Sequence, residues 1–130
     1  MKLKKVLLID DDDTVNFINR KLIERSDLTE EIVVQSSVLT ALEVLRSEVD
    51  QGQFPELIFV DINMPELDGW EFVEKYSALG EGTAVTKIVL LTSLINPDDI
   101  ERADAISAIS AFKEKPVSLE MLGDIEKEMF

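Results

Sequence analysis

The chain has 130 residues, no cysteine, no histidine, and a formal charge of −14 from 27 acidic and 13 basic residues. Without cysteine there are no disulfides and no thiolate metal sites, which fits a reducing compartment and makes the cytoplasm the expected location. Without histidine there is no imidazole catalysis and no phosphohistidine on this chain. The acidity speaks against nucleic-acid binding, which needs cations to displace phosphate counterions, and no apolar stretch reaches the roughly 18 residues of a membrane span.

Residues 3–9 read as the first strand. Val15, Ile18 and Leu22 recur at helical spacing, giving a helix from about 14 to 26 with Asp13 as its N-cap. Ile32-Val33-Val34 is a short second strand. Val38, Ala41, Leu42, Leu45 and Val49 mark a second helix, broken by Gly52 and Pro55. Residues 57–61 form the third strand. Met64-Pro65-Glu66-Leu67-Asp68-Gly69 leads into a third helix carrying Trp70, Phe72, Val73 and Tyr76, ended by Gly80 and Gly82. Residues 87–92 form the fourth strand, Pro97 suits the first turn of a fourth helix, and a fifth strand lies near 109–113. Val117, Leu119, Leu122, Ile125 and Met129 line a C-terminal helix.

Five βα units imply a parallel sheet with helices on both faces. The fold class expected is α/β: a doubly wound (βα)5 sandwich, flavodoxin-like, with strand order 2-1-3-4-5. That order sets strands 1 and 3 side by side. Asp10 and Asp11 would then converge with Asp61, about 50 residues away in sequence. Thr92 ends the fourth strand and Lys115 follows the fifth, so all these groups fall at carboxyl ends of strands, where open parallel sheets gather their ligand chemistry.

Each piece alone is weak, since an Asp run after a strand is usually a solvated loop or a helix cap. Together they suggest a site for a divalent cation and a phosphoryl group. Three carboxylates within about 5 Å repel by roughly 3 kcal/mol per pair at an effective dielectric near 20. Either one keeps its proton or a cation sits among them. Oxygen-only ligands suit Mg2+ or Mn2+ rather than Zn2+. An Asp beside such a cation can attack a phosphoryl group, Lys115 can pair with that group, and Thr92 can donate a hydrogen bond to it.

These residues carry a family resemblance over essentially the whole chain. Leu7-Leu8-Ile9-Asp10-Asp11, Val60-Asp61-Ile62-Asn63-Met64-Pro65 with Asp68-Gly69, Leu91-Thr92-Ser93 and Phe112-Lys113-Glu114-Lys115-Pro116 resemble a chemotaxis-type response-regulator receiver domain of bacterial two-component signalling. The resemblance implies that Asp61 is the phosphoacceptor. It also implies that Asp10, Asp11, Asp61 and the backbone carbonyl of Asn63 hold Mg2+, with Asp10 acting mainly through metal-bound water. Thr92 and Lys115 would engage the phosphoryl group, and the Lys115–Pro116 peptide would be cis. The phosphoryl donor would be a sensor histidine kinase or a histidine phosphotransfer protein. Phosphorylation adds about one and a half to two negative charges. Thr92 would move inward, Phe112 would rotate into the vacated space, and the face of helix 4, strand 5 and helix 5 would be read by a downstream protein. Phe112 is also explained simply as core.

Some positions depart from the family pattern. Phe112 stands where Tyr is frequent, Ser93 where Ala is frequent, and apolar Leu94 where a residue helps, with Asn63, to set phosphoryl lifetime. Asp12 and Asp13 extend the acidic pair and read as loop and cap.

Two other readings compete. Asp10-Asp11-Asp12-Asp13-Thr14 also fits Asp-x-Asp-x-Thr, the motif of haloacid-dehalogenase-type phosphatases, with Asp10 as nucleophile and Asp12 as acid/base. That reading needs a Lys followed by an acidic pair, whereas Asp98-Asp99 precede Lys115, and it leaves Asp61 unexplained. A receiver-like binding module that never needs phosphate is the second. The expectation is therefore a single receiver domain over 1–130 with no output domain, acting as a switch that catalyses only its own phosphorylation and dephosphorylation.

Overall fold

The longest apolar runs become the inner strands because they can bury side chains on both faces of a parallel sheet, while the two edge strands stay partly exposed. The structure is a computed structural model and describes residues 2–130. Among these residues lie β1 (Leu3–Ile9), α1 (Asp13–Ser26), β2 (Thr29–Gln35), α2 (Val38–Asp50) and β3 (Leu57–Asp61). They are followed by α3 (Gly69–Ser77), β4 (Lys87–Thr92), α4 (Pro97–Asp104), β5 (Ile109–Glu114) and α5 (Leu119–Met129). The sheet order is β2-β1-β3-β4-β5, with every neighbouring pair parallel. This is the (βα)5 arrangement that the alternation of elements predicted.

Side-chain alternation divides the core. Leu7, Ile9, Ile58, Val60, Ile88 and Leu90 pack with α2, α3 and Ala103 of α4. Val6, Leu8, Leu57, Phe59, Val89 and Leu91 face the other way, onto Ile23 of α1 and Leu122 and Ile125 of α5. The register pairing Ile9 with Val60 brings the residues after β1 beside the end of β3.

Four local readings of the sequence are corrected. The N-cap of α1 is Asp12, not Asp13: the Asp12 carboxylate accepts the Thr14 and Val15 N–H groups, and Asp13 is the first helical residue. The inward face of α1 is Asn16, Asn19 and Ile23. Val15 and Leu22 are only half-buried, and Ile18 is 41% exposed. The third helix ends at Ser77, before either glycine, and a 3-10 turn over Glu81–Val85 that the sequence did not announce leads into β4. Val117 is buried but lies ahead of α5, and Leu119 is exposed.

Candidate functional site

The site lies at the carboxyl ends of β1 and β3. Carboxylate oxygens of Asp10, Asp11 and Asp61 lie within 4.8 Å of one another. Asp61 ends the wholly buried strand β3 and is itself buried, as is Asp10, while Asp11 is exposed on the loop after β1. Both buried carboxylates are held by backbone. The Asp12 N–H donates to Asp10 Oδ1 at 2.9 Å, and the Asn63 N–H donates to Asp61 Oδ1 at 3.1 Å.

Lys115 joins them from the loop after β5. Its Nζ donates to Asp10 Oδ2 at 3.2 Å and to Asp61 Oδ2 at 3.1 Å. Its backbone N–H donates to the Thr92 carbonyl at 2.7 Å, and the Lys115–Pro116 peptide is cis. Burial pushes the Asp10 carboxyl above its ordinary range. The Asp12 N–H opposes that rise, the neighbouring Asp61 adds to it, and Lys115 opposes it. For Lys115 burial works against the charge, but the hydrogen bond to Asp61 and the charges of Asp10 and Asp61 outweigh it and raise its pKa.

One ammonium among three carboxylates leaves two negative charges uncompensated, the charge of one divalent cation. The donor set is oxygen only, with one member exposed for entry. It therefore fits a hard cation such as Mg2+ and not a thiophilic one.

Of the remaining predicted residues, Asn63 bonds directly to a cluster carboxylate, whereas the side chains of Thr92 and Phe112 have their contacts elsewhere. Thr92 ends β4 and is buried, beside β3 through the pairing of Asp61 with Leu91. Its hydroxyl is engaged locally, donating to the Leu94 carbonyl at 3.1 Å. Asn63 is exposed and meets Asp61 through its backbone N–H. Phe112 is half-buried on β5, paired in register with Leu90, and lies against Trp70 with ring centroids 6.2 Å apart and planes at 90°. The Arg102 guanidinium covers the other ring of that pair, 4.3 Å from the Trp70 centroid. Asp12 spends its Oδ1 on the cap of α1, which does not suit the acid/base role of the dehalogenase-type reading.

Sequence reasoning missed several supports. Asn16 Nδ2 donates to the Asp10 carbonyl at 2.8 Å, and Asn19 Oδ1 accepts the Val117 N–H at 3.1 Å. Asn16, Asn19 and Ile23 also stand at helical spacing, one residue on from Val15, Ile18 and Leu22, and that was the available signal. Gly69 is required by close approach: a Cβ there would lie 2.7 Å from the Asp61 carbonyl oxygen. The Asp-Gly pair was the visible cue. Asp68 caps α3 in a reciprocal box with Glu71, and Glu66 takes a left-handed conformation, φ 65°, in the loop before it.

Comparison with known proteins agrees with the fold. A family model described as "Response regulator receiver domain" matches residues 6–125. A two component response regulator from Cytophaga hutchinsonii superposes with a TM-score of 0.93 at 32% identity, over 99% of this chain and 98% of that one. A response regulator receiver protein from Dyadobacter fermentans DSM 18053 gives 0.87 at 29%, covering 98% of each chain. The sensor histidine kinase CheAY of Helicobacter pylori is 30% identical over 125 residues, which are 94% of this chain. The chain spans only 14% of that kinase's length.

Proposed function

This chain belongs to the response regulator receiver domain family of two-component signalling, and from that premise we propose that it is a phosphorylation switch whose phosphoacceptor is Asp61. The observation that carries the reading is the buried Asp61 carboxylate, in one cluster with Asp10 and Asp11 and in contact with Lys115. Related receiver domains occur within histidine kinases, which supports a phosphohistidine on a kinase or a histidine phosphotransfer protein as the donor. We also read residues 1–130 as one receiver unit.

In this reading an Asp61 oxygen attacks phosphorus while the P–N bond to the donor imidazole breaks. The bonding pair leaves on the imidazole nitrogen, and Asp61 becomes an acyl phosphate. Asp10, Asp11, Asp61 and the Asn63 carbonyl would hold Mg2+, which supplies charge neutralisation for the approaching phosphoryl oxygens. Lys115 is already within hydrogen-bond distance of Asp61 and would transfer its contact to the phosphoryl group. Attack by water on that phosphorus later returns the carboxylate and releases inorganic phosphate.

Thr92 would exchange its bond to the Leu94 carbonyl for one to the phosphoryl oxygen. Phe112, facing Trp70, would follow by changing rotamer, and the surface of α4, β5 and α5 would carry the signal to a downstream protein. With no hydroxyl on Phe112, that step would proceed by packing alone.

The test is incubation with acetyl phosphate and Mg2+, read by intact mass. The wild-type chain is expected to gain one phosphoryl group, and none with EDTA or in Asp61→Asn. A wild-type chain that stays unmodified, or an Asp61→Asn chain that gains the mass, overturns the assignment.

A further inference from the structure

We propose that Asn16 and Asn19 are positioning residues that clamp the acidic loop after β1 and the lysine loop after β5 into one frame. The inference rests on the role given to Asp61 above. Helix α1 spends its inward face unusually. It leaves Phe17 62% and Ile18 41% exposed while burying Asn16 to 6% and Asn19 to 1%. Asparagine is a poor residue for a helix interior, because its amide competes with the helical backbone. A buried amide is tolerated only where its hydrogen bonds repay its desolvation. Both amides find such partners, on two different loops.

Asn16 Nδ2 donates to the carbonyl of Asp10, the residue whose side chain binds Lys115. One turn further on, Asn19 Oδ1 accepts the N–H of Val117, 98 residues away in sequence and two residues after Lys115. Pro116 offers no N–H. The lysine loop is thus fixed on one side by Lys115 N–H to the Thr92 carbonyl and on the other by Val117 N–H to Asn19. Because 16 and 19 are three apart, both bonds project from the same helix face. A rigid α1 therefore sets the separation of the two loops, and with it the reach of Lys115 Nζ to Asp10 and Asp61. Asn16 Oδ1 is buried with no protein partner. An apolar residue would avoid that cost but would surrender the bond to Asp10.

The experiment compares Asn19→Leu, which removes the acceptor at similar volume, with Asn19→Asp, which keeps an oxygen in its place. Amide hydrogen exchange in the full chain reads the clamp without any phosphoryl transfer. In Asn19→Leu the Val117 amide should exchange about 100-fold faster while β1 and β3 amides keep their protection. The maximal phosphorylation rate with acetyl phosphate should fall about tenfold, with the Mg2+ Kd from calorimetry changed less than about twofold. Asn19→Asp should return both Val117 protection and rate most of the way. Should the leucine variant not fold, Asn19→Ser, whose side chain ends short of the Val117 N–H, carries the same expectations. Unchanged Val117 exchange, faster exchange with an unchanged rate, a uniform loss of protection across the sheet, or no rescue by Asp overturns the clamp. A wild-type chain with a protected Val117 amide that never gains a phosphoryl group overturns the function proposed for Asp61 instead.

Discussion

At the scale of single residues, charge decides most. Asp11 has an oxygen within 4.8 Å of its two carboxylate neighbours, and Lys115 contacts Asp10 and Asp61 but not Asp11. Replacing Asp11 by Asn should therefore stabilise the metal-free protein, by about 1 kcal/mol given its exposure to solvent. In the function proposed above, Mg2+ would stabilise the wild type by binding the native state, and the same change should remove that gain. Thermal unfolding in EDTA and in excess Mg2+ checks both halves, and a variant less stable than wild type in EDTA contradicts the repulsion. Tyr76 gives a second test, being the one tyrosine in the chain. Burial raises its pKa above the usual value, opposed by its hydrogen bond with Thr86. The unfolded chain therefore loses its phenolic proton first, near pH 10. Stability is intact below that pH and falls as pH rises from there through the raised folded value, by at most about 1.4 kcal/mol per pH unit. Denaturant titrations from pH 9 to 12 should show a shallower decline in Tyr76→Phe, and phenolate absorbance should appear late in the native protein.

At the scale of elements, helix starts carry the site. The N-terminus of α3 meets the end of β3 so closely that a Cβ on Gly69 would lie 2.7 Å from the Asp61 carbonyl oxygen and 2.9 Å from Ile62 Cα. Both neighbours are backbone and cannot turn aside as a side chain would. Gly69→Ala should cost about 1–3 kcal/mol in denaturant unfolding. It should also slow the phosphorylation proposed for Asp61, because the strand end must shift; a stable variant with a normal rate would show that the junction has slack. Asp12 works at the start of α1 in a similar way. Its carboxylate caps the helix while its N–H holds Asp10, so one residue fixes both the helix and the acid beside it.

At the scale of the whole molecule, 27 acidic against 13 basic residues leave a self-repelling chain. Raising monovalent salt from low to physiological strength shortens the Debye length to about 8 Å. It should raise the Tm, with Mg2+ adding a further, saturable increase through the site; a Tm that falls with salt would contradict net repulsion. The sequence by itself determined the strands, the order in which they alternate with helices, and which polar groups fall at strand ends. Runs such as Leu57–Asp61 are buried on both faces, so their composition alone marks them. The phase of α1 was decided only by tertiary structure. Val15, Ile18 and Leu22 have the right spacing, yet the fold turns Asn16 and Asn19 inward, because the loops they bind come from positions up to 98 residues distant. The same holds for the contact of Lys115 with Asp10 and Asp61, across 105 and 54 residues. Periodicity records the average polarity of a face, whereas a buried hydrogen bond depends on partners that meet only when the sheet is assembled.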